Sequence, residues 1–117
     1  MFGAAGAAGL FLAVALGAFA AHSLRDHLSA AMIGVFDTGV RYQFYHSLAL
    51  VLVAILADGK TFFRMAGIFY VAGILLFSSS LYLLACTGIG WIGFVTPFGG
   101  LSFLLGHLCL LIGFIKR

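Results

Sequence analysis

The chain has 117 residues, of which 64% are apolar and 8% charged, with a formal net charge of +3 and a mean hydropathy of +1.23; soluble domains average about 45–50% and about 25%. That composition makes it a membrane protein with room for four helices at about 20 residues per crossing, and its unbroken apolar runs exclude the alternating strands of an outer-membrane barrel. Its basic residues, Arg25, Arg41, Lys60, Arg64, Lys116 and Arg117, are scattered, which excludes nucleic acid as a partner and leaves membrane lipids as the surroundings.

Residues 2–22 read as a first transmembrane helix rich in Gly and Ala. Ala5, Gly9, Ala13, Gly17 and Ala21 recur every fourth position, a small-residue row that lets another helix come close where apolar burial gives little drive between helices in lipid. Ala18-Phe19-Ala20 resembles a signal-peptidase site. A basic segment before it is missing and the chain begins at Met1, so the stretch is expected to remain a membrane helix.

After His22 the chain turns polar through Arg25, Asp26 and His27, and Leu28, Met32, Val35 and Phe36 then recur at helical spacing. This predicts a short amphipathic helix over 26–37 lying in the interface. The second transmembrane helix is expected over 38–57, with Asp37 and Arg41 paired four residues apart at its head. Asp58-Gly59-Lys60 makes a tight turn, and Thr61 is a candidate cap for a third helix over 62–87. On that helix Ala66, Gly73, Ser80 and Thr87 repeat every seven residues. Ser78, Ser79 and Ser80 are expected to bond back to their own helix more than across to a neighbour.

Gly88, Gly90, Trp91 and Gly93 form an uncharged connection with Trp91 as an interfacial anchor. Thr96-Pro97 is a helix start, and a fourth helix follows over 97–115. Gly99, Ser102, Gly106, Cys109 and Gly113 give it a small-residue stripe, with Phe103, His107 and Leu110 alongside. The fold class is therefore an all-α compact four-helix bundle, a single membrane domain over 1–117. Its packing positions are Gly9, Ala13, Gly17, Gly73, Gly99, Gly106 and Gly113. Cys86 sits near one membrane face and Cys109 about 18 Å in from it at about 1.5 Å per residue, too far apart for a disulfide. More basic residues flank the end carrying Lys60, Arg64, Lys116 and Arg117 than the end carrying Arg25 and Arg41, so both termini are expected in the cytoplasm.

Under four crossings the polar side chains gather at the non-cytoplasmic end. His22, Asp37, Thr38, Arg41, Tyr42, Gln43, Tyr45, His46, Ser80 and Tyr82 form this cluster, with His46 roughly 7 Å below the head of its helix. Three readings compete. As a structural network, Arg41 is satisfied by Asp37 and helix carbonyls. As a pocket for a lipid headgroup, quinone or small anion, Arg41 supplies charge and the Tyr, His and Gln groups supply orientation. As a metal or catalytic site, His22 and His46 would need a third ligand, with only Asp26, His27 or Asp37 on offer and no HExxH pattern. The sequence thus names no catalytic residue, no metal ligand set and no cofactor. His107 stands apart, near the centre of the fourth helix, where a neutral histidine hydrogen-bonded to a neighbouring helix is expected.

The stretches GAFAAHSL at 17–24, TGVRYQFYHSLAL at 38–50, LLFSSSLYLLACTG at 75–88 and TPFGGLSFLLGH at 96–107 together resemble a small inner-membrane family, "domain of unknown function 423", related to eukaryotic transmembrane protein 256. The resemblance spans nearly the whole chain. It implies a compact four-helix bacterial inner-membrane protein and brings no established activity with it. The matching positions are Gly17, His22, Thr38, Arg41, Tyr42, Gln43, His46, Ser78, Ser80, Tyr82, Pro97, Gly99 and Gly100. Ala20 stands where the family commonly has glycine and His107 where it commonly has tryptophan, so a role for His107 would be peculiar to this chain. The reading that follows is a non-enzymatic accessory or assembly subunit whose Gly/Ala faces pack against another membrane protein or a second copy. The alternatives are a small transporter or lipid-, quinone- or anion-binding protein, and a membrane enzyme or redox protein.

Overall fold

The computed structural model describes residues 1–117 as helices joined by short connections. Four are long and apolar enough to cross a membrane: α1, Phe2–His22; α2, Ala30–Leu56; α3, Thr61–Thr87; and α4, Thr96–Ile115. Together they make an all-α four-helix membrane bundle of 49 × 26 × 18 Å, its long dimension exceeding the roughly 30 Å of bilayer hydrocarbon.

α2 corrects the expected division at residues 37 and 38. No separate interfacial helix spans 26–37. A single 3-10 turn, Leu24–Asp26, precedes Ser29, whose side chain accepts from the Met32 amide and starts α2. The helix then runs unbroken because its polar residues satisfy themselves along its own surface. Asp37 pairs with Arg41 at 3.2 Å, and the Thr38 hydroxyl donates to Gly34 O at 2.9 Å. His46 consequently lies about 24 Å from the start of its helix at about 1.5 Å per residue, not roughly 7 Å.

Two caps also differ. Thr61 is already helical after Lys60, and its side chain caps nothing. Thr96 turns its hydroxyl to Ser80 Oγ at 2.6 Å instead of to its own helix, while Pro97 keeps its place in the first turn. Gly88, at φ +70°, ends α3 in the left-handed conformation that glycine adopts without a steric cost. A 3-10 segment, Gly90–Phe94, then carries Trp91, two-thirds exposed.

α2 packs between α1 and α3, and α3 carries α4 on its other side. Along α1 the buried residues are Gly6, Ala13 and Ala20, while Ala5 and Ala21 are exposed. A row taken every fourth residue drifts about 40° per step around a helix of 3.6 residues per turn, so its ends leave the interface; a seven-residue repeat tracks it. Gly9 lies on the Ser47 side chain and Gly17 on Val40.

The α3–α4 interface has the same period. Phe77, Tyr70 and Phe63 of α3 lie on Gly99, Gly106 and Gly113 of α4, each pair seven residues from the next on both helices. Gly73 returns the contact by taking the Phe103 ring. Midway, α3 widens into a π-helical turn, Ile74–Ser78, and Gly99 sits against the Phe77 backbone there.

Candidate functional site

The polar side chains leave α2 in three directions. Asp37 and Arg41 pair on the exposed side of α2, Asp37 at the edge of a crevice with α1; Gln43 reaches α1 and α3; and Tyr42, Tyr45 and His46 line a groove shared with α4. The Asp37–Arg41 pair is more than half exposed and lines neither of the two grooves described below. His22 is exposed at the end of α1.

Gln43 is a staple among three helices. Its amide donates to Gly9 O of α1 at 2.9 Å and its carbonyl accepts from the Tyr82 hydroxyl of α3 at 2.7 Å. Tyr82 tilts against Phe36, ring centroids 4.8 Å apart. Ser78 donates to Gly39 O at 2.8 Å and Ser102 to Phe69 O at 2.7 Å. Ser80, by contrast, bonds back to Phe77 O in its own helix as well as meeting Thr96. These bonds matter because helix association in lipid rests on packing and interhelical hydrogen bonds.

His46 belongs to a different set, joined by two residues from outside the sequence-defined cluster. Its Nδ1 lies 2.7 Å from Tyr42 O, its Nε2 lies 3.2 Å from His107 Nε2, and His107 Nδ1 lies 2.8 Å from the Tyr70 hydroxyl. His107 is therefore not separate from His46, as the sequence suggested. The partners assign the tautomers of the neutral chain. Tyr42 O can only accept, so His46 Nδ1 carries its proton and its Nε2 is bare. His107 Nε2–H then donates to His46, and Tyr70 O–H donates to His107 Nδ1. Every donor points the same way, from α3 through α4 to α2. Phe103 stacks flat on the His46 ring, centroids 3.5 Å apart and planes 8° from parallel, which fixes the imidazole's plane.

A groove of about 310 Å³ opens beside this pair between α2 and α4, lined by Tyr42, Tyr45, His46, Gly100, Phe103, Leu104 and His107. Tyr42, Tyr45 and His107 are exposed within it, whereas His46 is buried at its floor. A second crevice of about 350 Å³ separates α1 from α3 and is apolar apart from Gln43, Ser79 and Tyr82; the Gln43 amide and the Tyr82 hydroxyl are already used in the staple. Nowhere do three or more His, Cys, Asp or Glu side chains converge. Cys86 is exposed and Cys109 buried, both as free thiols.

Sequence reasoning missed Tyr70 and the placement of His107. The signal was present in the seven-residue repeats of aromatic residues on α3 and glycines on α4, which set the antiparallel register and put Tyr70 beside Gly106 and so beside His107.

The sequence profile of the family described as "Protein of unknown function (DUF423)" matches residues 16–100. Curated relatives extend the similarity to nearly the full length. The UPF0382 membrane protein YwdK of Bacillus subtilis (strain 168) is 42% identical over 114 residues, 95% of this chain and 93% of its own. A UPF0382 membrane protein of Haemophilus influenzae (strain ATCC 51907 / DSM 11121 / KW20 / Rd) is 45% identical over 108 residues, 91% of this chain and 86% of its own. The UPF0382 inner membrane protein YgdD of Escherichia coli (strain K12) is 41% identical over 108 residues, 91% of this chain and 82% of its own. No solved structure matches the chain.

Proposed function

The chain belongs to the DUF423/UPF0382 family of small membrane proteins, and from that premise we propose that it is a multi-pass inner-membrane protein that binds a lipid-soluble molecule between α2 and α4. The occupant is of the class that carries a carbonyl or hydroxyl head on an apolar body, a quinone or a lipid headgroup. One observation carries this reading: the α2–α4 groove sets two tyrosines and two histidines against an apolar wall of Phe103 and Leu104. Sites for such ligands are mostly apolar with a few placed polar groups, and at mid-bundle a tyrosine hydroxyl has no water to turn to.

Gly100 gives the test. A Cβ there is in ordinary contact with the Phe77 ring alone, at 3.9–4.0 Å, so the position admits a side chain and Gly100→Leu is expected to narrow the groove. Lipid mass spectrometry after gentle extraction is expected to find a molecule retained by the parent chain and lost from Gly100→Leu. Identical lipid profiles from the two would end the reading.

A second reading keeps its own support. Outside the α2 contact, α1 exposes Ala4, Ala5, Ala7 and Ala8 on one side of Phe11 and Leu12 and Ala15 and Ala18 on the other, two small-residue patches where a helix of another membrane protein or a second copy can come close. On this account the protein is a non-enzymatic accessory subunit. Crosslinking in membranes that yields only monomer and no copurifying protein would remove it. In either case we place both termini in the cytoplasm, on the side of Lys60, Arg64, Lys116 and Arg117.

A further inference from the structure

We propose that the start of α3 and the end of α4 together bind the phosphate group of an acidic phospholipid. A pocket of about 320 Å³ opens between them, with Lys60, Lys116 and Arg117 around it and Phe63 and Gly113 in its wall. Lys60 precedes α3 and the other two follow α4, so it is the antiparallel packing of these helices that gathers the three cations.

Both ammonium groups are held against aromatic rings. Lys116 Nζ stands 5.0 Å from the centre of the Phe62 ring and Lys60 Nζ 5.9 Å from that of Phe63, distances at which an aromatic face attracts a cation. Phe63 is itself fixed. It is fully buried, and its ring lies so close over Gly113 that a Cβ there would come within 2.8 Å. Two long side chains that would otherwise range through water are thereby kept at the rim of one pocket.

No carboxylate side chain answers this charge. The chain has only Asp26, Asp37 and Asp58, and its one ion pair is Asp37–Arg41 on α2. Asp58, in the turn before Lys60, pairs with none of Lys60, Arg64, Lys116 or Arg117. A phosphodiester supplies the missing charge on oxygens that only accept, and such oxygens make strong hydrogen bonds with ammonium and guanidinium donors. Headgroups stand at the level of the helix ends, and basic pockets between membrane helices on the cytoplasmic side take acidic ones. A free phosphate would bring the same charge, but a lipid keeps its acyl chains in the bilayer and so presents its headgroup at a high local concentration.

The pocket shares no residue with the α2–α4 groove, and the two readings fail separately. Full-length protein in a nonionic detergent is titrated with phosphatidylglycerol, or with phosphatidylcholine as the uncharged comparison, and bound lipids are counted by native mass spectrometry. The first phosphatidylglycerol is expected to bind about tenfold or more tightly than the first phosphatidylcholine. Lys60→Gln and Lys116→Gln should each weaken that event about fivefold, the effect of one basic residue near an acidic lipid surface. Arg64→Gln removes the same charge at the same end but outside the pocket, and should leave the event unchanged. Equal losses from all three variants would mean diffuse attraction and overturn the site, as would equal binding of the two lipids. Inorganic phosphate that displaces the lipid at matching concentration would put a free anion in the pocket and overturn the lipid assignment. Gly100→Leu should bind phosphatidylglycerol as the parent chain does; loss in that variant would put the lipid in the groove instead and overturn the proposal.

Discussion

Tyr70 lies over Gly106 so closely that a Cβ on Gly106 would come within 2.7–2.8 Å of its ring carbons. That approach lets the Tyr70 hydroxyl reach His107, one residue further along α4. Gly106→Ala must displace the ring, since Tyr70 is fully buried and overpacking of a close-packed site costs about 1–3 kcal/mol. The variant is expected to unfold earlier in detergent titrations. Gly90→Ala, at a position with open space around it, serves as the neutral comparison; equal stability of the two would contradict the contact.

Gln43 should couple α1 and α3 energetically. Gln43→Leu strips partners from both the Tyr82 hydroxyl and Gly9 O, and a buried group left unpaired costs about 1–3 kcal/mol. Tyr82→Phe alone removes one bond, and interhelical bonds in membranes average about 0.6 kcal/mol with a maximum near about 1.7. A double-mutant cycle on these two residues is expected to return a coupling within that span. Strict additivity would mean that the bond contributes nothing.

Ser47 offers the opposite sign. It is fully buried, and its hydroxyl has no hydrogen-bond partner, an orphan beside Gly9. Ser47→Ala deletes a buried unpaired group and should stabilise the fold by up to about 1–3 kcal/mol. Ser102→Ala, which instead removes a donor to Phe69 O, should lower the melting temperature. Thermal unfolding of both variants in one detergent checks the contrast; a loss at Ser47 matching that at Ser102 would show that the Ser47 hydroxyl has a partner after all.

The four crossings and the Asp37–Arg41 pair were legible because hydropathy and four-residue spacing are local properties. The meeting of His46 with His107 was not, because it depends on how far each helix extends and on the register between α3 and α4. Placing the start of α2 at Thr38 put His46 a few residues from the helix head, and counting His107 from its own helix then separated two groups that touch. The polar run 37–46 also looked like one cluster in the sequence, whereas a helix sends its members to different neighbours: Arg41 outward, Gln43 to α1 and α3, His46 to α4. Ser78 shows a further limit. It closes the widened π-helical turn and bonds across to Gly39 O, a reach that regular α-helical spacing does not forecast.

Orientation gives a last expectation, and it follows from charge alone. The connection between α1 and α2 carries Arg25 and the one between α3 and α4 carries Trp91, and antiparallel packing of successive helices puts both at one end. Lys60, Lys116 and Arg117 lie at the other. Basic residues in short loops are retained on the cytoplasmic side, so the Arg25 end should face outward. With Cys86 and Cys109 replaced by serine, single cysteines at positions 25 and 91 should react with a membrane-impermeant maleimide in osmotically opened cells whose inner membrane is intact. Cysteines at 60 and 117 should react only once that membrane is permeabilised. The reverse pattern would invert the protein and put the groove's Tyr42 rim toward the cytoplasm; reaction of 25 and 91 from different sides would break the four-crossing arrangement on which the His46–His107 meeting depends.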